Sequence, residues 1–173
     1  MGQTANMILT GVGVSKRYAE SMLKDVTPEK FARLGAPGGA TVESNHAAFV
    51  YGHLSLYFPR VLSMLGQPAF SHPPMFEELF TAGKPCVDDA KGTHYPSMEA
   101  ILAHFNAGME AATDAITRAS DADLGKPNPA EGRMKEMFPT IGDAINFLMN
   151  SHVMWHLGQV SGWRRMMGLG SAM

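Results

Sequence analysis

The sequence predicts an all-α protein folded as a four-helix bundle. Three observations carry that expectation: four blocks of apolar residues spaced three and four apart, no alternating strand pattern of useful length, and long polar or Pro/Gly-rich breaks between the blocks. An irregular all-helical fold is the simpler alternative. At 173 residues one domain over 1–173 is expected, because a chain of this size buries roughly 70% of the surface its unfolded form exposes.

In the first block Ile8, Val12, Ala19 and Met22 keep one face, opposite Lys16, Arg17, Glu20 and Lys24. Thr27 and Pro28 suit an N-cap and a first helical position, so a short helix is expected there. Gly35, Pro37, Gly38 and Gly39 then break the chain. The second helix is expected over 44–65, with Val50, Leu54, Tyr57, Val61 and Met64 on its stripe, ending before Gly66 and Pro68. A long connection over 68–96 follows, with at most one brief helix around 75–79.

The third helix is expected from Ser97 as N-cap to about residue 120, carried by Met98, Ile101, Phe105, Met109, Ala112 and Ile116. A loop over 121–139 leads to Thr140 and Asp143, whose spacing is that of a capping box. From there the fourth helix continues through Ile145, Leu148, His152, His156, Gln159 and Trp163 to about residue 167, with Gly168 as its C-cap.

Composition narrows the partners. The chain has 14 Lys plus Arg against 16 Asp plus Glu, and its 17% charged residues fall short of the usual figure of about 25%. Neither a disordered acidic tail nor a nucleic-acid binder fits. One cysteine, Cys86, cannot form an intrachain disulfide, which suits a reducing compartment or a fold independent of oxidation. Asn6 stands where a myristoylation signal needs Ser or Thr, and no charged leader precedes an apolar stretch. The apolar run 7–14 is far short of the roughly 20 residues of a membrane span. A soluble cytoplasmic protein with no membrane partner is therefore expected. Low charge together with 14 methionines leads to the expectation of a homodimer, since such helices hold more apolar surface than one bundle hides.

The most informative residues are His152 and His156. Four positions apart on a helix, they differ by about 40° in direction and can aim two imidazoles at one ion. Spacing alone is weak, since seven histidines placed at random give a separation of four in about a quarter of such chains. Position adds weight: both lie in the apolar stripe, where an unpartnered imidazole costs about 2 kcal/mol or more. Two core histidines bonded to side chains or water satisfy the same constraint. On the second helix His46 and His53 are seven apart and share a face, and an ion can use only the one whose level matches the pair. The pattern does not decide between them. His46, in the first turn, either lines the pocket mouth or is solvated or hydrogen-bonded. Val153 stands where a metalloprotease of the H-E-x-x-H kind has its glutamate, so that chemistry is excluded.

The run Asn45 to Leu54 and the run His152 to Gln159 together resemble the DinB superfamily of metalloenzymes, also called DinB/YfiT-like. That family carries one histidine near a Gly-His-Leu segment on its second helix and two more in an H-x-x-x-H-x-G-Q pattern on its fourth. The resemblance implies His53, His152 and His156 as metal ligands in a bundle of up-down-down-up connectivity, often dimeric, holding zinc, nickel or iron. It also implies an enzyme of the thiol-dependent transferase or hydrolase type, activating water or a low-molecular-weight thiol toward a small-molecule substrate. A non-catalytic metal-binding or ligand-binding stress protein is the alternative. Gln159, three residues beyond His156, is expected to bond a ligand ring, orient bound water or pack, and Tyr57 to line the pocket. Phe49, Tyr57 and Trp155 make that pocket apolar.

Overall fold

The computed structural model describes residues 2–68 and 70–172, and no strand occurs among them. Helix α1 spans Gln3–Met22 and buries Ile8, Val12, Ala19 and Met22, the stripe read from the sequence, together with Ala5 and Ser15. Short α2 (Pro28–Phe31) follows with Pro28 in its first turn. Next come α3 (Ala47–Ser55), α4 (Phe58–Met64) and α5 (Met75–Phe80), then the long α6 (Met98–Arg118). Two short helices, α7 (Asp121–Leu124) and α8 (Arg133–Met137), lead to α9 (Ile141–Asn146). One π-helical turn, Phe147–Ser151, joins α9 to α10 (His152–Met166). Helix α1 packs on α6 and α10, and α3 packs on the same two, so the long elements close a ring around one apolar core. The chain is all-α, as expected. Val50, Ile101, Ile116 and Trp163 are completely buried inside it.

Several terminators follow from local chemistry. The Ser97 hydroxyl accepts from the Ala100 N–H and opens α6. Thr140 and Asp143 bond reciprocally to each other's backbone N–H, the expected capping box. Gly168, at φ 72°, lets the Leu169 N–H reach the Arg164 carbonyl at 2.9 Å and close α10.

Three expectations need correction. The helix over 44–65 is two helices: Pro59 has no N–H and its ring conflicts with the carbonyl four residues earlier, so the chain turns at Leu56 and Tyr57. Its start is Ala47 rather than residue 44, because the His46 side chain is the cap. The fourth helix is interrupted by the π turn, which Asn150 secures against α1. Its amide donates to the Ile8 carbonyl at 3.2 Å and packs where a Cβ on Gly11 would lie. The loop over 121–139 contains two helices. A second capping box, Ser120 with Asp123, starts the first of them.

Arg164 is 1% exposed and clamps the end of α1, donating to the Met22 carbonyl at 3.0 Å and to the Lys24 carbonyl. The long connection after α4 holds α5, the one brief helix expected. Gly52 lets α5 come close: a Cβ there would meet the Phe80 ring at 2.6 Å. We expect Gly52→Ala to destabilise the fold by about 1–3 kcal/mol, overpacking outweighing a helix-propensity gain of about 1 kcal/mol. Chemical denaturation checks this, and a neutral or stabilising result contradicts the packing described for Phe80.

Candidate metal centre

Three elements deliver the site. The π turn sets the direction of α10, whose first residue is His152 and whose next turn carries His156. Helix α3 brings His53, with only 4% of its surface exposed. One ring nitrogen from each of His53, His152 and His156 can be chosen so that all three lie within 4.8 Å of one another. The Nε2 atoms of His152 and His156 are 3.1 Å apart.

The outer bonds fix which nitrogen is bare. His53 Nδ1 lies 2.8 Å from the Phe80 carbonyl, and a carbonyl only accepts, so Nδ1 carries the hydrogen and Nε2 has the lone pair. His156 Nδ1 donates to Gln159 Oε1 at 3.1 Å, and the same oxygen accepts from Asn45 Nδ2 at 3.0 Å. The assignment leaves Nε2 of His156 bare as well. His152 differs, because its Nδ1 is buried without a partner. In the neutral set one proton bridges His152 and His156; with that proton on His152, the bare nitrogens of two other rings face it.

Burial pushes the pKa of all three rings below the ordinary histidine range. His152 falls furthest, to about 3, through desolvation first and then the charges of its two companion rings and Arg60. The rings are neutral at pH 7, the state in which imidazole binds a metal. Two bare Nε2 atoms beside a third neutral ring, and outer N–H groups held by a carbonyl and an amide, fit a divalent cation that takes the place of the one shared hydrogen.

A cavity of about 390 Å³ opens on this cluster, lined among others by Phe49, Tyr57, Trp155 and Gln159. The Tyr57 ring centroid is 4.4 Å from that of His152 and 5.1 Å from that of His53. Trp155 is 70% exposed at the rim. Lys84 is the cation in the lining, and no Asp or Glu lines it among the described residues.

His46 belongs elsewhere. It is completely buried, is not in that lining, and uses both ring nitrogens: Nδ1 accepts from the Phe49 N–H at 3.1 Å and Nε2 donates to the Val87 carbonyl at 3.0 Å. Its position in the first turn is that of an N-cap, not of a pocket mouth. Asn45 and the Phe80 carbonyl were missed by the sequence reading. Asn45 borders a histidine and carried a readable polar signal, whereas a main-chain carbonyl in a long connection carries none.

These features define an all-helical protein with a three-histidine candidate metal centre between two of its packed helices. A family model for the DinB superfamily matches residues 14–160, and the chain belongs to that superfamily. None of the curated proteins matches it in sequence. No helix among the described residues is long and apolar enough to cross a membrane.

Stability should depend on pH through these rings. A histidine whose folded pKa lies below its unfolded value near 6.5 adds stability above 6.5 and loses it as pH falls toward the folded value. His46, His53, His152 and His156 all have this sign. Metal-free protein should therefore lose stability progressively from pH 7 to pH 4, with each such ring contributing up to about 1.4 kcal/mol per pH unit. Urea titrations at stepped pH test this; stability flat across that window contradicts the neutral, buried assignment.

Proposed function

We propose that the chain is a metal-dependent enzyme in which His53, His152 and His156 hold one divalent ion that activates a small thiol, in a transferase type of reaction. The observation that carries this is the convergence of three neutral imidazoles whose outer nitrogens, on His53 and His156, are already bonded. Three neutral protein ligands leave coordination positions open, the arrangement of a reactive site rather than a closed structural one. A divalent ion there would lower the pKa of a coordinated thiol or water. The chain's own residues then hold the ligand rings through Phe80, Gln159 and Asn45, and Phe49 with Tyr57 keeps that side of the cavity apolar.

Transfer to or from a thiol is favoured over hydrolysis because the cavity has no carboxylate lining to act as general base among the described residues. A sequestering, non-catalytic metal protein is the second function that the same lack favours. Zinc, nickel and ferrous iron all suit three imidazoles.

Protein purified without a nickel column should carry or take up one ion per chain, and the His53→Ala, His152→Ala, His156→Ala triple variant none. Gln159→Ala should weaken binding by about 10–100-fold, the usual effect of removing the partner of a ligand ring. Metal analysis and competition with a chromogenic chelator give these values. Zinc or nickel bound no tighter by the native chain than by the triple variant ends the metal proposal. Loss of free thiol on mixing with an electrophile, abolished by the triple variant, separates the enzyme from the sequestering protein.

A further inference from the structure

A second and larger cavity lies on the other side of His152. Open to solvent on one side, it measures about 680 Å³, within the range of roughly 300–1,000 Å³ typical of small-molecule sites. Tyr57, Phe147 and His152 line both cavities and so form the partition between them. Met64 of α4, Leu148 of the π turn and Met134 of α8 make much of the remaining wall apolar.

The segment roofing this cavity is firmly built. Asn128 is 1% exposed; its side chain accepts from the Ala130 N–H at 3.0 Å and donates to the Phe138 carbonyl at 2.9 Å. Main-chain bonds from Asn128 to Pro139 and from Ile141 to Lys126, each 2.9 Å, tie the segment to the start of α9. Phe138 stacks on Phe147 at 4.4 Å and so steadies a ring of the partition.

Arg60 is the charged residue of this lining, and no Asp or Glu joins it among the described residues. Its guanidinium lies 4.9 Å from the centre of the Tyr57 ring. It forms no ion pair among the described residues, although Glu77 borders the adjoining cleft that Arg60 also lines. An apolar chamber with one uncompensated guanidinium at its edge is complementary to a molecule with an apolar body and a single terminal anion. The planar fork of the guanidinium matches a carboxylate through two parallel hydrogen bonds.

The geometry points to a binding site for an amphipathic monocarboxylic acid in this cavity, with the carboxylate on Arg60 and the apolar body against Met64, Leu148 and Met134, reaching the metal-site wall at His152. That the acid serves as a substrate rests on the function proposed above; that it binds here does not.

Calorimetric titration of the full chain, both chelator-treated and zinc-loaded, with octanoate, octanamide and acetate tests the site. Octanoate should bind both forms, octanamide about tenfold more weakly, and acetate not measurably. Arg60→Ala should weaken octanoate about tenfold and leave octanamide unchanged, while Arg60→Lys restores part of the loss. Arg60 is exposed, so the variants should melt as the native chain does. Equal affinities for octanoate and octanamide, or an Arg60→Ala variant that binds octanoate as the native chain does, overturns the proposal. Loss on Lys84→Ala instead moves the anion to the smaller cavity and overturns it too. Octanoate that binds only the zinc-loaded chain, indifferent to Arg60, places the carboxylate on the metal; the site then fails while the metal function stands. Arg60-dependent octanoate binding in a chain that takes up no zinc leaves this site intact and removes the metal function alone.

Discussion

Three imidazole rings can be held close together inside a protein only while every ring stays neutral, and much of this structure serves that constraint. Protonating a second ring of the His53, His152 and His156 cluster would set like charges beside each other in a buried place. Burial prevents this, and the outer bonds at His53 and His156 turn the bare nitrogens toward one another. His152 is the exception. Its buried Nδ1 has no partner, a cost of about 1–3 kcal/mol that the fold carries at the point where the helix resumes after the π turn.

The bundle is arranged around that cluster in consequence. Gly52 admits Phe80, and Phe80 supplies the carbonyl that orients the neighbouring His53. Gly11 on α1 admits Asn150, which secures the π turn immediately before His152. Two glycines inside helices, each giving up roughly 0.5–1 kcal/mol of intrinsic helix propensity relative to alanine, are thus linked to the placement of two of the three rings. The partition made by Tyr57 and Phe147 then gives His152 a face on each of two cavities, one beside the other rings and one roofed by the segment that Asn128 ties down.

Legibility in the sequence followed the range of the interactions. The stripes of α1 and α6, the caps at Ser97 and Thr140 and the stop at Gly168 are local, and they stood in the sequence as they stand in the structure. The His152 and His156 pair was readable for the same reason, and His53 came from the family resemblance. Pro59 also announced its break, but the apolar period running through Tyr57 and Val61 masked it. The Ser120 capping box was equally local and was hidden by the polar, proline-rich composition around it. Other features depend on contacts across the fold: the π turn on α1, the Phe80 carbonyl on α5, and His46 on the Val87 carbonyl of the long connection. Arg60 carries no signal in the sequence, and only its place on a cavity wall without carboxylates among the described residues distinguishes it.

On the proposed function, the chain itself prepares the nitrogens of His53 and His156 before any ion arrives. Ring-nitrogen NMR of uniformly ¹⁵N-labelled, metal-free protein at neutral pH reads the tautomers directly. His53 and His156 should each carry the hydrogen on Nδ1, and adding one equivalent of zinc should shift their Nε2 resonances without moving that hydrogen. Hydrogen on Nε2 of His53 or His156 in the metal-free chain, or Nε2 resonances untouched by zinc, would contradict the account.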